Sequence, residues 1–387
     1  MPDPTAFANL LESALDTAMN ERGTVNVLVA GGTGAGKSTL INGVFQGDFA
    51  ETGQGRPVTK GLDEVSKDGV PLTVLDTRGI ETAAFRETRG ELVALLRERG
   101  RDPDPNRHVH VAWLCVSEGD RRFQDAESDV AALLAEHVPV IAVVTKAQQD
   151  MGSEGRLFSD DVRDFFGGHV RDVVRVRALS AVLDGGHRLP AMGLATLVRA
   201  TMAVVPEGQR NALGAAQKVD LKAKQDRSHR VVLKAATAAA AVAAVPVPFA
   251  DAAALVPIQV TMLARVSAAF GLPVNQAYLG TLAGAALVAG GGGVGGRLLF
   301  ANFVRMVPGA GSVVGGAIAA VTAVGLTLGF GEAYVAALSG LFLRKDVGSI
   351  TPDDVGDAFK REVRGLKESE LRARAKGLLT RDERDAA

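Results

Sequence analysis

The spacing of apolar and polar residues changes along the chain. Up to about residue 22, apolar residues recur three or four positions apart, which predicts an amphipathic helix over residues 1–22. We expect this helix to pack on the next domain through Phe7, Leu10, Leu11, Ala14, Leu15 and Met19. Over residues 23–205, short apolar runs alternate with helical spacing. That alternation predicts an α/β domain with a mostly parallel sheet covered on both faces.

The apolar runs predict buried strands, and ligands of such a sheet bind at the carboxyl ends of its strands. The predicted strands are Val25–Ala30, Pro71–Asp76, His110–Val116, Val138–Thr145 and Val173–Leu179. The predicted helices are Lys37–Phe45 and Gln124–His137, which lie between strands, and Leu194–Val205, which follows the last strand.

Beyond residue 205 the composition changes. Residues 206–231 are highly charged and predict a linker helix, whereas residues 232–345 are rich in alanine and glycine and predict an all-α domain. Residues 346–387 are charged again and predict a tail helix. Val266–Gly296 has no charged residue, and a bilayer-spanning helix needs about 20 apolar positions.

Three alternatives stay open for the apolar region. It inserts into a membrane, it forms a water-soluble helical bundle, or it is covered in one state of the protein and inserted in another. Gly311, Gly315 and Ala319 lie four apart, a spacing that favours close helix approach in lipid, but Gly290–Gly293 would interrupt a spanning helix. Membrane lipid is a partner under the first and third alternatives.

Charge and cysteine content restrict the partners and the cellular compartment that we expect for this protein. The formal net charge of −1 gives no reason to expect a nucleic-acid partner. The single cysteine, Cys115, excludes an intrachain disulfide and fits a reducing compartment. We expect a cytoplasmic protein, associated with the inner membrane if the apolar region inserts.

A glycine-rich segment fits a phosphate-binding loop between a predicted strand and a predicted helix. Its residues are Gly31, Gly32, Thr33, Gly34, Ala35, Gly36, Lys37 and Ser38, in the pattern G-x-x-x-x-G-K-[ST]. We expect its backbone N–H groups and the helix dipole to hold phosphate, Lys37 to reach the β- and γ-phosphates, and Ser38 to bind Mg²⁺. At the end of the next strand, Asp76 is expected to hold Mg²⁺ through water, and Gly79 to donate its N–H to the γ-phosphate.

Over residues 31–181 these motifs resemble the Era-like GTPases of the translation-factor-related class. The resemblance implies binding of GTP or GDP with Mg²⁺ and hydrolysis of GTP. It also assigns roles to Thr39 (helix after the phosphate loop), Thr59 (first switch and second Mg²⁺ ligand), Gly79 (second switch), Thr145 and Lys146 (guanine motif), and Ser180 and Ala181 (guanine oxygen). Lys37, Thr59 and Gly79 are the expected catalytic residues.

One departure concerns the guanine motif, which in the family reads [NT]-K-x-D. Gln148 stands at the position of the aspartate, and Asp150 lies two residues later. Either the loop bulges so that Asp150 reaches the base, or Gln148 replaces the aspartate with less selectivity. Guanine is the expected base and adenine is its competitor.

Ile80 follows Gly79, where some GTPases place a glutamine that orients water, so we expect slow intrinsic hydrolysis. An activating protein, a second copy of this chain or a backbone-held water must then assist.

The apolar region in turn resembles a bacterial domain of unknown function found in YcjF-type inner-membrane proteins. Pro246–Asp251, Gln259, Phe270–Gly271 and Pro308–Ser312 carry that likeness.

The leading hypothesis is a slow GTPase switch coupled to the helical domain. The alternatives are a dynamin-like or immunity-related GTPase that remodels membranes, and a nucleotide-binding module that does not hydrolyse.

Overall fold

The computed structural model describes most of the chain and divides it into two compact units. The described residues are 4–46, 56–59, 62–67, 69–77, 83–121, 123, 125–152, 155–243, 251–272, 316–345 and 349–365. The first unit, called the sheet unit here, is Arg22–Asp220. The second, the helical unit, combines Met1–Glu21 with Leu221–Ala387.

A seven-stranded sheet forms the centre of the sheet unit, in the order β2-β3-β4-β1-β5-β6-β7. The strands are β1 (Val25–Gly31), β2 (Arg56–Thr59), β3 (Leu62–Ser66), β4 (Leu72–Thr77), β5 (Val111–Ser117), β6 (Val140–Thr145) and β7 (Asp172–Arg175). Strands β4, β1, β5, β6 and β7 run parallel, and β3 joins them antiparallel. The predicted mostly parallel sheet is confirmed.

Helices cover both faces of this sheet. They are α2 (Lys37–Val44), α3 (Ala83–Gly100), α4 (Asp125–Ala135), α5 (Phe158–Phe166), α6 (Leu194–Val204) and α7 (Glu207–Ala216). Because side chains alternate along a strand, β1 sends Val27 and Val29 into one core and Leu28 and Ala30 into the other.

The sheet unit extends further than the predicted domain end at residue 205. Helix α7 lies inside the predicted linker, yet Ala212 and Leu213 are buried in the core of the sheet unit. The helix stops because the Gln217 side-chain oxygen accepts hydrogen bonds from the N–H groups of Val219 and Asp220, both at 2.8 Å. This turn separates α7 from α8 and divides the predicted linker helix in two.

The helical unit contains α1 (Pro4–Arg22), α8 (Leu221–Ala243), α9 (Asp251–Phe270), α10 (Gly316–Phe342) and α11 (Pro352–Arg364). Their apolar faces share one core, with Tyr334 and Phe359 fully buried in it. Helices α8 and α10 approach closely at Gly331, where an added Cβ would lie 2.5 Å from the side chain of Val232. The helical domain predicted after the α/β domain is therefore present.

The N-terminal helix packs differently from the expectation. Ala14, Leu15 and Ala18 are buried in the core of the helical unit, and Glu21 pairs with Arg265 of α9. Amphipathic spacing identifies the apolar face of a helix but not the partner of that face. The sequence therefore could not distinguish the adjacent domain from helices more than two hundred positions away.

Among the described residues, one segment, Ala323–Phe342 of α10, is long and apolar enough to cross a membrane. Within the helical unit 78% of it is buried, as in the core helix of a bundle, so it is weak support for a spanning helix. Gly290–Gly293, Gly311, Gly315 and Pro308–Ser312 lie outside the described residues.

Candidate functional site

The phosphate-binding loop connects β1 to α2 at the carboxyl edge of the sheet. Gly31 ends β1 against β5, and a Cβ at this position would lie 2.5 Å from the carbonyl oxygen of Cys115. Gly36 has a φ of 84°, a left-handed conformation that glycine adopts without strain. The loop therefore requires glycine at both ends for steric reasons.

Helix α2 directs its N-terminus at this loop. Its N-cap is Gly36, which has no side chain to accept from the first N–H groups of the helix, and the first intrahelical bond runs from Leu40 N–H to Gly36 C=O at 2.9 Å. The N–H groups of Lys37, Ser38 and Thr39 thus have no carbonyl partner within the helix. Such a helix terminus suits an anion.

Lys37 brings a positive charge to the same place. Its ammonium group donates to the carbonyl oxygens of Gly31 and Gly32, at 2.8 and 3.2 Å, so the side chain folds over the loop. Thr33, Gly34, Ser38 and Thr39 are exposed beside it, and Ala35 is buried beneath. The predicted loop residues are therefore brought together with amide donors, an ammonium group and a hydroxyl group on one surface.

Asp76 lies next to the loop, because β4 pairs directly with β1. Its Oδ1 is buried and has no hydrogen-bond partner among the described residues. Burial raises the pKa of Asp76 to about 6, the nearby Lys37 opposes this, and Asp63 adds to it. A buried carboxylate oxygen without a partner fits a divalent cation, so the donor set matches the expected Mg²⁺.

The switch residues are described only in part. The backbone of Thr59 ends β2, where it pairs with Leu62 of β3. Its side chain, together with Arg78, Gly79 and Ile80, lies outside the described residues.

The guanine motif begins where β6 ends, and it touches the phosphate loop. Thr145 donates its hydroxyl to the carbonyl oxygen of Ala35 at 2.6 Å, which ties β6 to the loop. Lys146 follows with a φ of 53°, and its side chain is exposed close to Gly36. Gln148 is also exposed, two residues further on.

Asp150 makes different contacts. Its two carboxylate oxygens accept from the N–H and the hydroxyl of Ser159, at 3.0 and 2.9 Å, in the first turn of α5. The nearest cation is Arg175, whose Nε lies 3.4 Å from Oδ1. Asp150 therefore joins α5 and β7 to the loop.

The last predicted strand is shorter than expected. Strand β7 ends at Arg175, whereas the prediction continued it to Leu179. Ser180 is exposed, and Ala181 begins a small hairpin of β8 (Ala181–Val182) and β9 (Arg188–Leu189). The two residues therefore lie several positions beyond the strand whose end they were predicted to mark.

Three charged residues that sequence reasoning missed hold the guanine motif. Glu118, which follows β5, is 3% exposed and accepts from the backbone N–H groups of Gln148 and Gln149. Arg175 donates to Glu118 from Nε at 2.9 Å, and Arg177 donates to the Ala147 carbonyl at 2.7 Å. The only signal was position for Glu118, which follows the predicted strand His110–Val116 at the ligand edge, whereas Arg175 and Arg177 lie within the predicted strand Val173–Leu179.

Other residues that could have carried chemistry are structural. Trp113 and Cys115 are fully buried on β5 and pack in the core, and burial raises the pKa of Cys115 to about 12. His110 is held by Asn26 N–H at 2.9 Å and by the Pro105 carbonyl, also at 2.9 Å. The described residues contain no cluster of histidine, cysteine and carboxylate side chains at metal-binding distance.

Comparison with known proteins gives a matching family and a curated relative. Residues 26–146 match the family described as 50S ribosome-binding GTPase. Translocase of chloroplast 90, chloroplastic, from Arabidopsis thaliana is 36% identical over 87 residues, which is 21% of this chain and 11% of that protein. The chain thus spans about a tenth of the length of this relative.

Two solved structures give weaker matches. A probable GTP-binding protein engB is 16% identical at a TM-score of 0.32, over 46% of this chain and 98% of that chain. Toc33 from Arabidopsis thaliana, in complex with GDP and Mg²⁺, is 16% identical at a TM-score of 0.32, over 56% of this chain and 95% of that chain. With a phosphate loop, an adjacent buried carboxylate and the family match across β1 to β6, residues 26–146 belong to a P-loop GTPase domain.

Proposed function

We propose that this protein binds GTP with Mg²⁺, hydrolyses it slowly, and uses the two nucleotide states as a switch that acts on the helical unit. One observation carries the proposal. The phosphate loop places the ammonium group of Lys37 and the N-terminus of α2 beside Asp76, whose buried Oδ1 has no partner among the described residues.

Each residue of the site has a separate task. The N–H groups at the start of α2 bind phosphate oxygens, and Lys37 leaves the carbonyls of Gly31 and Gly32 for the β- and γ-phosphates. Ser38, Thr59 and Asp76 would hold Mg²⁺, which neutralises charge developing between the β- and γ-phosphates. Gly79 would donate its N–H to the γ-phosphate.

The slow rate rests on Ile80, since an aliphatic side chain cannot orient water by hydrogen bonding. An activating protein or a second copy of this chain would then raise the rate.

Coupling to the helical unit rests on chain connection. Helix α8 begins at Leu221, directly after the Gln217 turn that ends the sheet unit. Loss of the γ-phosphate releases Thr59 and Gly79, as in switch proteins that order a segment only in the triphosphate state. We propose a cytoplasmic location, with the helical unit as the part that meets membrane lipid; flotation with vesicles of anionic and neutral lipid in both nucleotide states tests this contact.

Single-turnover hydrolysis tests the central activity. Wild type should release phosphate from GTP only with Mg²⁺, and Lys37→Ala should reduce binding of GTP by at least about tenfold, because charge-assisted hydrogen bonds are lost. Lys222→Ala is the matched control, since the Lys222 side chain is 80% exposed. If wild type released no phosphate at saturating GTP, the result would support the alternative of a nucleotide-binding module that does not hydrolyse.

A further inference from the structure

We infer that the side-chain amide of Gln148 recognises the nucleotide base by hydrogen bonding. Asp150, in contrast, is a positioning residue that holds the loop and does not contact the base. This inference rests on the proposed function, because it concerns the base-recognition part of the same nucleotide site. The base loop is defined here as residues 146–150, which follow β6 at the carboxyl edge of the sheet.

The carboxylate of Asp150 already has hydrogen-bond partners. Ser159 donates to both of its oxygens, from N–H to Oδ1 at 3.0 Å and from the hydroxyl to Oδ2 at 2.9 Å. The Asp150 carbonyl also accepts from Phe158 N–H at 2.9 Å. Turning this carboxylate toward a base would leave the N–H and the hydroxyl of Ser159 without their acceptors, at the cost of two hydrogen bonds.

Hydrogen bonds of the backbone hold the base loop in place. Ala147 donates its N–H to Val176 C=O at 3.2 Å, and its carbonyl accepts from Arg177 at 2.7 Å. The next two N–H groups donate to the buried Glu118. A bulge that brought Asp150 to the position of residue 148 would break these bonds.

Some side chains of the base loop remain accessible to a ligand. With the backbone so fixed, the side chains of Lys146, Gln148 and Gln149 are exposed, and Lys146 lies beside Gly36 of the phosphate loop. The side-chain amide of Gln149 donates to the Met151 carbonyl at 3.4 Å. Gln148 is therefore the side chain with polar atoms at the position where the motif places its base-reading group.

The chemistry of this group predicts the selectivity. The relevant edge of guanine presents two donors, the ring N1–H and the amino group on C2. A carboxylate accepts from both, whereas a carboxamide offers one acceptor and a donating NH₂ group. Gln148 can therefore accept from N1–H but gains little from the amino group, and its NH₂ can donate to N1 of adenine.

The contribution of the guanine amino group is tested by comparing the affinity for GTP with the affinity for ITP, which lacks this group. In Mg²⁺-containing buffer, wild type should bind the two nucleotides within about threefold of each other. Gln148→Glu has a side chain of the same length that only accepts hydrogen bonds. This variant should bind GTP about tenfold more tightly than ITP, which is the effect of one charge-assisted hydrogen bond, and it should bind ATP more weakly than wild type does. Gln149→Glu is the matched control, because it adds the same charge one residue later, and its GTP-to-ITP ratio should stay at the wild-type value.

Asp150→Asn distinguishes recognition of the base from positioning of the loop. It should weaken the binding of GTP, ITP and ATP by the same factor. It should also lower the midpoint of unfolding, which Trp113 fluorescence reports. The inference is overturned if Asp150→Asn abolishes a strong wild-type preference for GTP over ITP, or if Gln148→Glu leaves the ratio unchanged. Failure of wild type to bind any of the three nucleotides would instead refute the proposed function itself.

Discussion

Asp76 makes the stability of the protein without nucleotide depend on pH. Burial raises the pKa of this carboxyl group from 3.8 to about 6. An acid whose pKa rises on folding costs no stability below its unfolded pKa, and the cost is complete above its folded pKa. At about 1.36 kcal/mol per pKa unit, the full penalty is at most about 3 kcal/mol.

Asp76→Asn should therefore stabilise the metal-free protein, by up to about 3 kcal/mol at about pH 8 and by roughly half of that at about pH 5. Urea unfolding followed by Trp113 fluorescence measures both values. The same variant should lose Mg²⁺-dependent binding of GTP. An equal gain at both pH values would show that ionisation of Asp76 is not the cause.

Thr201 accepts the hydrogen bond of the Trp113 indole N–H. The indole N–H donates to Thr201 Oγ1 at 3.1 Å inside the core, where Phe45 stacks on the ring. Thr201→Val keeps the volume but leaves the buried N–H without an acceptor, so we expect a loss of about 1–2 kcal/mol in the free energy of unfolding. Thr196→Val on the same helix is the control, because Thr196 is exposed; similar losses for both variants would contradict this role.

The sequence identified site residues that directly follow apolar strands, including Lys37, Asp76 and Thr145. It missed Glu118 and Arg177, because both act on backbone groups about 30 positions away in the chain. Such contacts depend on which strands are neighbours in the sheet, and a local pattern does not contain that information.

Among the elements, the close contact between α8 and α10 at Gly331 makes a testable prediction. Gly331→Ala places a Cβ 2.5 Å from Val232, so α8 and α10 must move apart, and we expect a loss of about 1–3 kcal/mol. Gly340→Ala on the same helix meets only the end of the flexible Arg344 side chain, and it should be neutral or stabilising by up to about 1 kcal/mol. Thermal unfolding followed by circular dichroism compares the two; a stable Gly331→Ala variant would contradict the close packing.

Elements with continuous apolar runs were predictable, and elements with mixed composition were not. Strand β3 was missed because only Leu62 of its five residues is buried, as befits a strand near the sheet edge. Helix α3 was missed because its charged sequence buries Leu92 and Leu96 among the side chains that are described. The end of α7 depends on a side-chain contact of Gln217, which helix propensity does not reveal.

At the scale of the whole molecule, the switch proposal predicts that nucleotide state changes the helical unit. Hydrogen exchange in α8 and α10 should differ between the protein with a GTP analogue and the protein with GDP. The Lys37→Ala variant, which should bind neither nucleotide well, is the control and should show no difference. Identical exchange in both states of wild type would argue against coupling.

Calorimetric titration of GTP into the purified protein shows whether the phosphate loop holds a nucleotide. We expect binding that requires Mg²⁺, that Lys37→Ala weakens by at least about tenfold, and that Lys222→Ala leaves at the wild-type value. If the folded wild-type protein gave no binding signal with GTP or ATP in the presence of Mg²⁺, the assignment of a nucleotide site to the loop between β1 and α2 would be contradicted.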